Sequence, residues 1–172
     1  EALMSTYKLV WDDFCSWYLE IIKPPYQQPI DAITYKETLS IFESLLKVIH
    51  PFTPFISEEI WHLIGDKKDE DCIMVAEWPT LEIVDEKLLS NFDHAEEVIT
   101  NIRNIRKEKN IANKVTLDLL VIDNEKTDRS FDPIIAKISN LSTFEYIESK
   151  VDNAFSFVLK SNVGSPSIFS PV

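Results

Sequence analysis

His50-Pro51-Phe52-Thr53-Pro54-Phe55-Ile56-Ser57-Glu58-Glu59-Ile60-Trp61 carries two prolines three residues apart, between two apolar periodicities. Pro51 cannot continue a preceding helix and forces His50 out of the helical region. Thr53 is placed to cap a new helix with Pro54 at its first position, where a missing N–H does no harm. The stretch therefore predicts helix, sharp corner, helix. Leu39, Phe42, Leu45, Leu46 and Ile49 form the buried stripe of the helix before it, over 34–49. The helix after it runs to about Ile64, with Gly65 as the expected left-handed cap.

Working upstream, Leu3, Tyr7, Val10, Trp11, Phe14, Tyr18, Ile21 and Ile22 recur at three- and four-residue spacing. They predict an amphipathic helix over 2–23, ended by Pro24-Pro25 and followed by a polar connection over 24–33. Downstream, 66–84 read as an acidic loop with a short apolar piece at 73–78. A fourth helix starts near Asp85 and ends near Lys109. Its inner stripe is Leu88 or Leu89, Phe92, Ala95, Ile99, Ile102 and Ile105. After Asn110 the period changes: 115–122, 143–148 and 155–160 read as strands and 131–139 as a short helix. The last dozen residues are rich in Ser and Pro. The expected fold is mainly α: an antiparallel bundle of about four helices over 1–112, then a small α+β subdomain over 113–172.

Composition narrows the function. The 172 residues are 45% hydrophobic and 11% aromatic, enough for a core and unlike a disordered chain. There are only two glycines, Gly65 and Gly164, where average usage gives about 12. Glycine-rich phosphate cradles, dinucleotide fingerprints and nucleophile elbows are thereby excluded. Cys15 and Cys72 make no disulfide framework, so a reducing compartment is expected. No apolar run reaches the roughly 18–20 residues of a membrane span, and no membrane partner is expected. The opening Glu-Ala-Leu-Met-Ser-Thr-Tyr-Lys lacks a cap for the helix already running at Leu3, which suggests a piece of a longer protein.

The net charge of −12 argues, taken alone, against a nucleic-acid partner. It is unevenly spread. Between Asp66 and Glu97, eleven acids face three lysines. Between Ile99 and Lys114, five cations face only Glu108. Arg103, Arg106 or Lys107, and Asn110 fall on one helix face, opposite the apolar one. Such a stripe suits phosphate and base-edge contacts, and equally a solvated face beside a helix C-terminus. Trp17, at the rim of the first helix's stripe between Asp13 and Glu20, is either a stacking platform for an unpaired base or core packing. Glu59-Ile60-Trp61-His62 has di-iron ligand spacing but occurs once, where such a site needs two copies, so no metal is expected. No nucleophile–base pair is evident, and the chain reads as non-catalytic.

Phe14-Cys15-Ser16-Trp17-Tyr18-Leu19-Glu20 with Lys23 resembles the first helix of the anticodon-binding domain of class I aminoacyl-tRNA synthetases, in the subset charging valine, isoleucine and leucine. The string from His50 to Trp61 is similar to that domain's second motif, and Ile102-Arg103-Asn104-Ile105-Arg106-Lys107-Glu108-Lys109-Asn110-Ile111 to the helix after it. Ser16 departs from the family pattern, which has Asp there. Lys23-Pro24-Pro25-Tyr26, the Glu-Glu-Ile-Trp-His string and the α+β piece most resemble the valine-specific members. The isoleucine and leucine members, and a helical protein–protein module without an RNA role, stay open.

The resemblance implies a C-terminal part of a synthetase that recognises a tRNA anticodon stem-loop. Asp13, Trp17, Glu20, Lys23, Arg103, Arg106, Lys107 and Asn110 are the implied RNA-facing residues. His50, Pro51, Pro54 and Trp61 are implied to be architectural. Neither a His-Ile-Gly-His signature nor a Lys-Met-Ser-Lys-Ser loop is present. ATP and magnesium are accordingly implied for a full-length enzyme and no cofactor for this stretch. An N-terminal catalytic domain in the same protein, a monomeric state and a cytoplasmic location are expected. Arg103 and Arg106 are expected to be dispensable to the fold.

Overall fold

Proline and capping residues set the helix ends. The computed structural model describes residues 1–65, 67–68, 70–80, 83–122, 128–147, 155–156 and 166–169. The chain divides into two compact units, Glu1–Ile83 and Val84–Val172.

In the first unit an uninterrupted helical run covers 2–22: α1 (Ala2–Tyr7), a π-helical stretch Lys8–Tyr18, and α2 (Leu19–Ile22). Then come α3 (Ala32–Ile49), α4 (Pro54–Leu63) and a single 3-10 turn, Ile73–Val75. Helix α3 starts two residues before the expected position because the Asp31 carboxylate accepts from the N–H groups of Ile33 and Thr34, at 3.1 and 2.9 Å. Phe14 stacks on Tyr18 and on Phe42, and the Tyr18 and Thr38 hydroxyls lie 3.3 Å apart, which ties the first helical run to α3. Leu46, Trp61 and Ile73 form a buried cluster, with Phe42, Ile60, Ile64 and Ala76 packed on it. Gly65 does not adopt the left-handed conformation expected of it; the cap of α4 is Ile64, at φ −91°.

The second unit contains α5 (Glu86–Glu108), β1 (Leu117–Ile122), α6 (Asp132–Ser139), β2 (Leu141–Ile147), β3 (Phe155–Ser156) and β4 (Pro166–Phe169). The strand order is β2-β1-β4-β3. β1 and β2 are parallel, with α6 in the connection between them, and β1–β4 and β4–β3 are antiparallel. Leu117, Leu119 and Val121 are buried, the alternation of a half-buried strand. Ser142 and Thr143 both donate to the Asp118 carboxylate, at 2.6 and 2.8 Å, and hold its pKa below the ordinary value.

The mainly helical character with a small α+β part is as expected, but the compact units part at Ile83/Val84 rather than near residue 112. The fourth expected helix, α5, packs within the second unit: Phe92 lies against Phe131, and the Asn91 amide donates to the Asp128 carboxylate at 2.7 Å. Strand β4 falls in the Ser/Pro-rich tail, where no strand was expected. Pro166 opens it, a place that tolerates a missing N–H, and its partner is the edge of β1. Of the strand expected over 155–160, Phe155–Ser156 is present and the rest lies outside the described residues.

Candidate nucleic-acid interface

The eight residues implied to face RNA are divided between the units: Asp13, Trp17, Glu20 and Lys23 in the first, Arg103, Arg106, Lys107 and Asn110 in the second. Asp13, Glu20 and Lys23 are exposed, and Lys23 Nζ donates to Glu20 Oε1 at 3.3 Å. Trp17 is buried, only 9% exposed, and so cannot serve as an open stacking platform in this conformation. Trp17 lies three residues after Phe14 and four before Ile21, at the spacing of the apolar stripe itself, and of the two readings open to it core packing is the one the structure shows.

At the α3–α4 corner, the His50 ring nitrogen Nδ1 lies 2.8 Å from Ser57 Oγ. Ser57, 1% exposed, sends its own proton to the Thr53 carbonyl at 2.7 Å, so His50 Nδ1 is the donor in that pair. The Trp61 indole N–H donates to the Asp71 carbonyl at 2.7 Å, and Lys67 Nζ lies 3.9 Å from the ring centroid while bonding Glu43 at 2.8 Å. Pro54 is the first residue of α4; the Thr53 hydroxyl bonds Ile49 O rather than capping it. The carboxylate paired with His62 is Glu58, at 3.3 Å, not Glu59. Glu58 also accepts from the Ile73 N–H at 3.2 Å. Among the described residues no three His, Cys, Asp or Glu side chains are grouped to hold a metal ion.

The end of α5 overturns one expectation. Arg106, placed by its neighbours on the basic stripe, is 5% exposed. Its Nη1 donates to the carbonyls of Ala112 and Val115, at 3.1 and 2.8 Å. Its Nη2 donates to those of Ser139 and Asn140, at 2.8 and 3.4 Å. Ser139 and Asn140 end α6, so the cation meets the negative pole of that helix. Burial pulls the Arg106 pKa down from its ordinary value. An arginine suits this place because a planar fork reaches several acceptors at once. Arg106 is therefore a structural clamp, not a phosphate contact. The signal was present: Arg106 lies four residues after Ile102 and seven after Ile99, in phase with the buried stripe.

Asn110 terminates α5. Its φ is 53°, its N–H bonds the Lys107 carbonyl, and the Ile111 N–H bonds the Arg106 carbonyl at 2.8 Å. This is a Schellman ending with asparagine where glycine is usual. Asn140, at φ 50°, ends α6 in the same conformation. A chain with two glycines uses asparagine, the other residue that tolerates the left-handed region.

Arg103, Lys107, Lys109 and Lys114 stay exposed around this end. Arg103, Lys107 and Asn110 line a groove of about 540 Å³, together with Asn113, Ser139 and Asn140 and an apolar part from Ile111, Ala112 and Ile138. Asn140 Nδ2 donates to the Asn113 carbonyl at 3.0 Å. The Ser139 hydroxyl is buried with no hydrogen-bond partner among the described residues. Asn113, Ser139 and Asn140 were not singled out from sequence. Asn140 had a readable signal, an asparagine directly after a helical pattern; the other two are assembled by α6 folding back.

Over residues 1–121 the chain matches the anticodon-binding domain of tRNA ligase. It belongs to that family. Among similar proteins are valine–tRNA ligases of Christiangramia forsetii, 49% identical over 162 residues, of Phocaeicola vulgatus, 48% over 159, and of Parabacteroides distasonis, 43% over 161. The matches cover 94%, 92% and 94% of this chain and 18% of each relative, so the chain spans about a fifth of their length.

Proposed function

We propose that this chain is the anticodon-binding part of a valine–tRNA ligase and binds the anticodon stem-loop of a valine tRNA. The observation that carries the proposal is the cationic end of α5. Arg103, Lys107, Lys109 and Lys114 are exposed around a groove lined by asparagines, in a chain whose remaining surface is strongly acidic. Loop bases are unpaired and open to stacking and edge contacts, and cations beside them hold the backbone. The valine assignment is supported by the relatives, all three of which are valine–tRNA ligases. The acidic surface limits indiscriminate RNA contact.

Amino-acid activation, with its ATP and magnesium, would belong to a part of the ligase outside this stretch. The residues here do not fit those groups: there are two glycines, and no cluster of metal-binding side chains among the described residues. A cytoplasmic, monomeric ligase is the setting proposed; among the described residues no helix is long and apolar enough to cross a membrane.

The test is titration of the chain with a valine anticodon stem-loop at two salt concentrations. Four phosphate contacts give a slope of log affinity on log salt of roughly −3, at about −0.7 per contact on single strands. Binding that is absent, or insensitive to salt, sinks the proposal and favours a protein-docking module.

A further inference from the structure

We infer that the groove at the C-terminal end of α5 holds a single unstacked nucleotide. Its base lies along Ile111 and Ile138, its edge meets the Asn110 and Asn113 amides, and its phosphate meets Arg103 and Lys107. The inference rests on the RNA-binding reading above and narrows it to one base-sized pocket.

Three observations carry it. The first is size: about 540 Å³ lies within the roughly 300–1,000 Å³ typical of small-ligand pockets. The second is the balance of groups. A site built for a bare anion needs donors alone. Here the Asn110 and Asn113 side-chain amides, without partners among the described residues, each offer a donor beside an acceptor. That pairing matches the hydrogen-bonding edge of a base. The apolar residues opposite suit its face, and the two cations suit its phosphate. The third is the preparation of the site. Arg106 neutralises four carbonyls that would otherwise repel an anion, while the buried Ser139 hydroxyl lacks the partner that such groups ordinarily have.

Free nucleotides and a base within an RNA loop share this chemistry, and the experiment separates them. The full chain is labelled with nitrogen-15 and its asparagine side-chain amides are followed by NMR. The additions are AMP, CMP, inorganic phosphate and the anticodon stem-loop, each in turn. The Asn110 and Asn113 amides are expected to shift with the stem-loop and the nucleotides and not with phosphate. Affinity for the stem-loop is then measured for an Asn110→Gly/Asn113→Ala double variant. Glycine keeps the left-handed backbone while removing one amide. The variant should keep the wild-type melting temperature, lose affinity by about tenfold and keep its salt slope. Arg103→Ala should weaken binding for all loops and reduce the salt slope by about one.

Stem-loop binding by the double variant at wild-type affinity, without amide shifts in the parent, overturns the pocket and leaves the RNA reading standing. Amide shifts with free nucleotides but no stem-loop binding keep the pocket and overturn the RNA reading. Shifts with phosphate equal to those with nucleotides overturn the base pocket in favour of an anion site. No shift with any addition, and no stem-loop binding, overturns both.

Discussion

The α3–α4 corner in the first unit and the end of α5 in the second both secure a place where a helix stops, by opposite means. The corner uses two prolines, an indole and a His50–Ser57 hydrogen bond. The α5 end uses a buried cation feeding four carbonyls and an asparagine in the left-handed region. At the corner Ser57 and Trp61 are buried, while Phe52, Phe55 and Ile56 stay exposed. An end built on a buried arginine leaves neighbouring cations and amides at the rim, facing solvent. The grooves beside the two ends differ in sign: the one at the corner is lined by Glu58 and Glu59 with His50 and His62, the one at the end of α5 by Arg103 and Lys107.

The largest effect expected is at the corner. Trp61→Ala removes a 6%-exposed indole from the Leu46–Ile73 cluster and should destabilise the first unit by about 3–5 kcal/mol. Urea unfolding followed by circular dichroism checks this, and a loss below about 1 kcal/mol would break the contrast. Arg106→Ala should destabilise the second unit by about 3 kcal/mol, because four carbonyls lose their donors. Arg106→Lys should restore little of it, since an ammonium cannot span two pairs of acceptors in the fork geometry. If thermal melts show Arg106→Ala as stable as wild type, the clamp reading fails and the residue returns to the solvent-facing stripe.

Ser57→Ala leaves His50 without its acceptor and should cost about 1–2 kcal/mol in the same unfolding assay. Asn110→Ala should cost about 1 kcal/mol and Asn110→Gly almost nothing, because the position has φ 53°. Equal melting temperatures for these two variants would refute the Schellman ending.

The smallest effect is a pH dependence in the second unit. Burial lowers the His94 pKa below 6.5, against the opposing fields of Glu97 and Asp132. The unfolded chain then binds the proton more readily, so the stability from neutral His94 is complete above pH 6.5. It is lost as pH falls from there through the lowered folded value. Burial raises Asp132 above 3.8, which gives a slope of the opposite sign at lower pH, between 3.8 and its folded value. Melting temperature should fall between pH 7.5 and 5.5, and less so in His94→Asn. A variant with an unchanged slope would remove His94 from the account.

Much of this was legible in the chain because it is local. Pro51 and Pro54 bound helices whatever surrounds them, and the α4 and α5 limits fall within a residue or two of expectation. The alternation of Leu117, Leu119 and Val121 declared β1. Other features were not settled there. Trp17, equally a stacking platform or core packing by its place on the stripe, is core. Strand β4 depends on an edge of β1 far away in sequence. Gly65 stays out of the left-handed region although the α4 pattern ends beside it. Arg106 was misassigned because charge was weighed above phase.

By itself the sequence determined the helices, their stops, the first strand and the uneven charge, since each rests on covalent geometry or on spacing within a few residues. Only the tertiary structure decided which of two adjacent basic residues, Arg106 and Lys107, is a buried clamp and which stays exposed. The carbonyls that Arg106 satisfies come partly from the end of α6, more than thirty residues further along the chain. Their demand for a donor exists only once α6 has folded back onto α5.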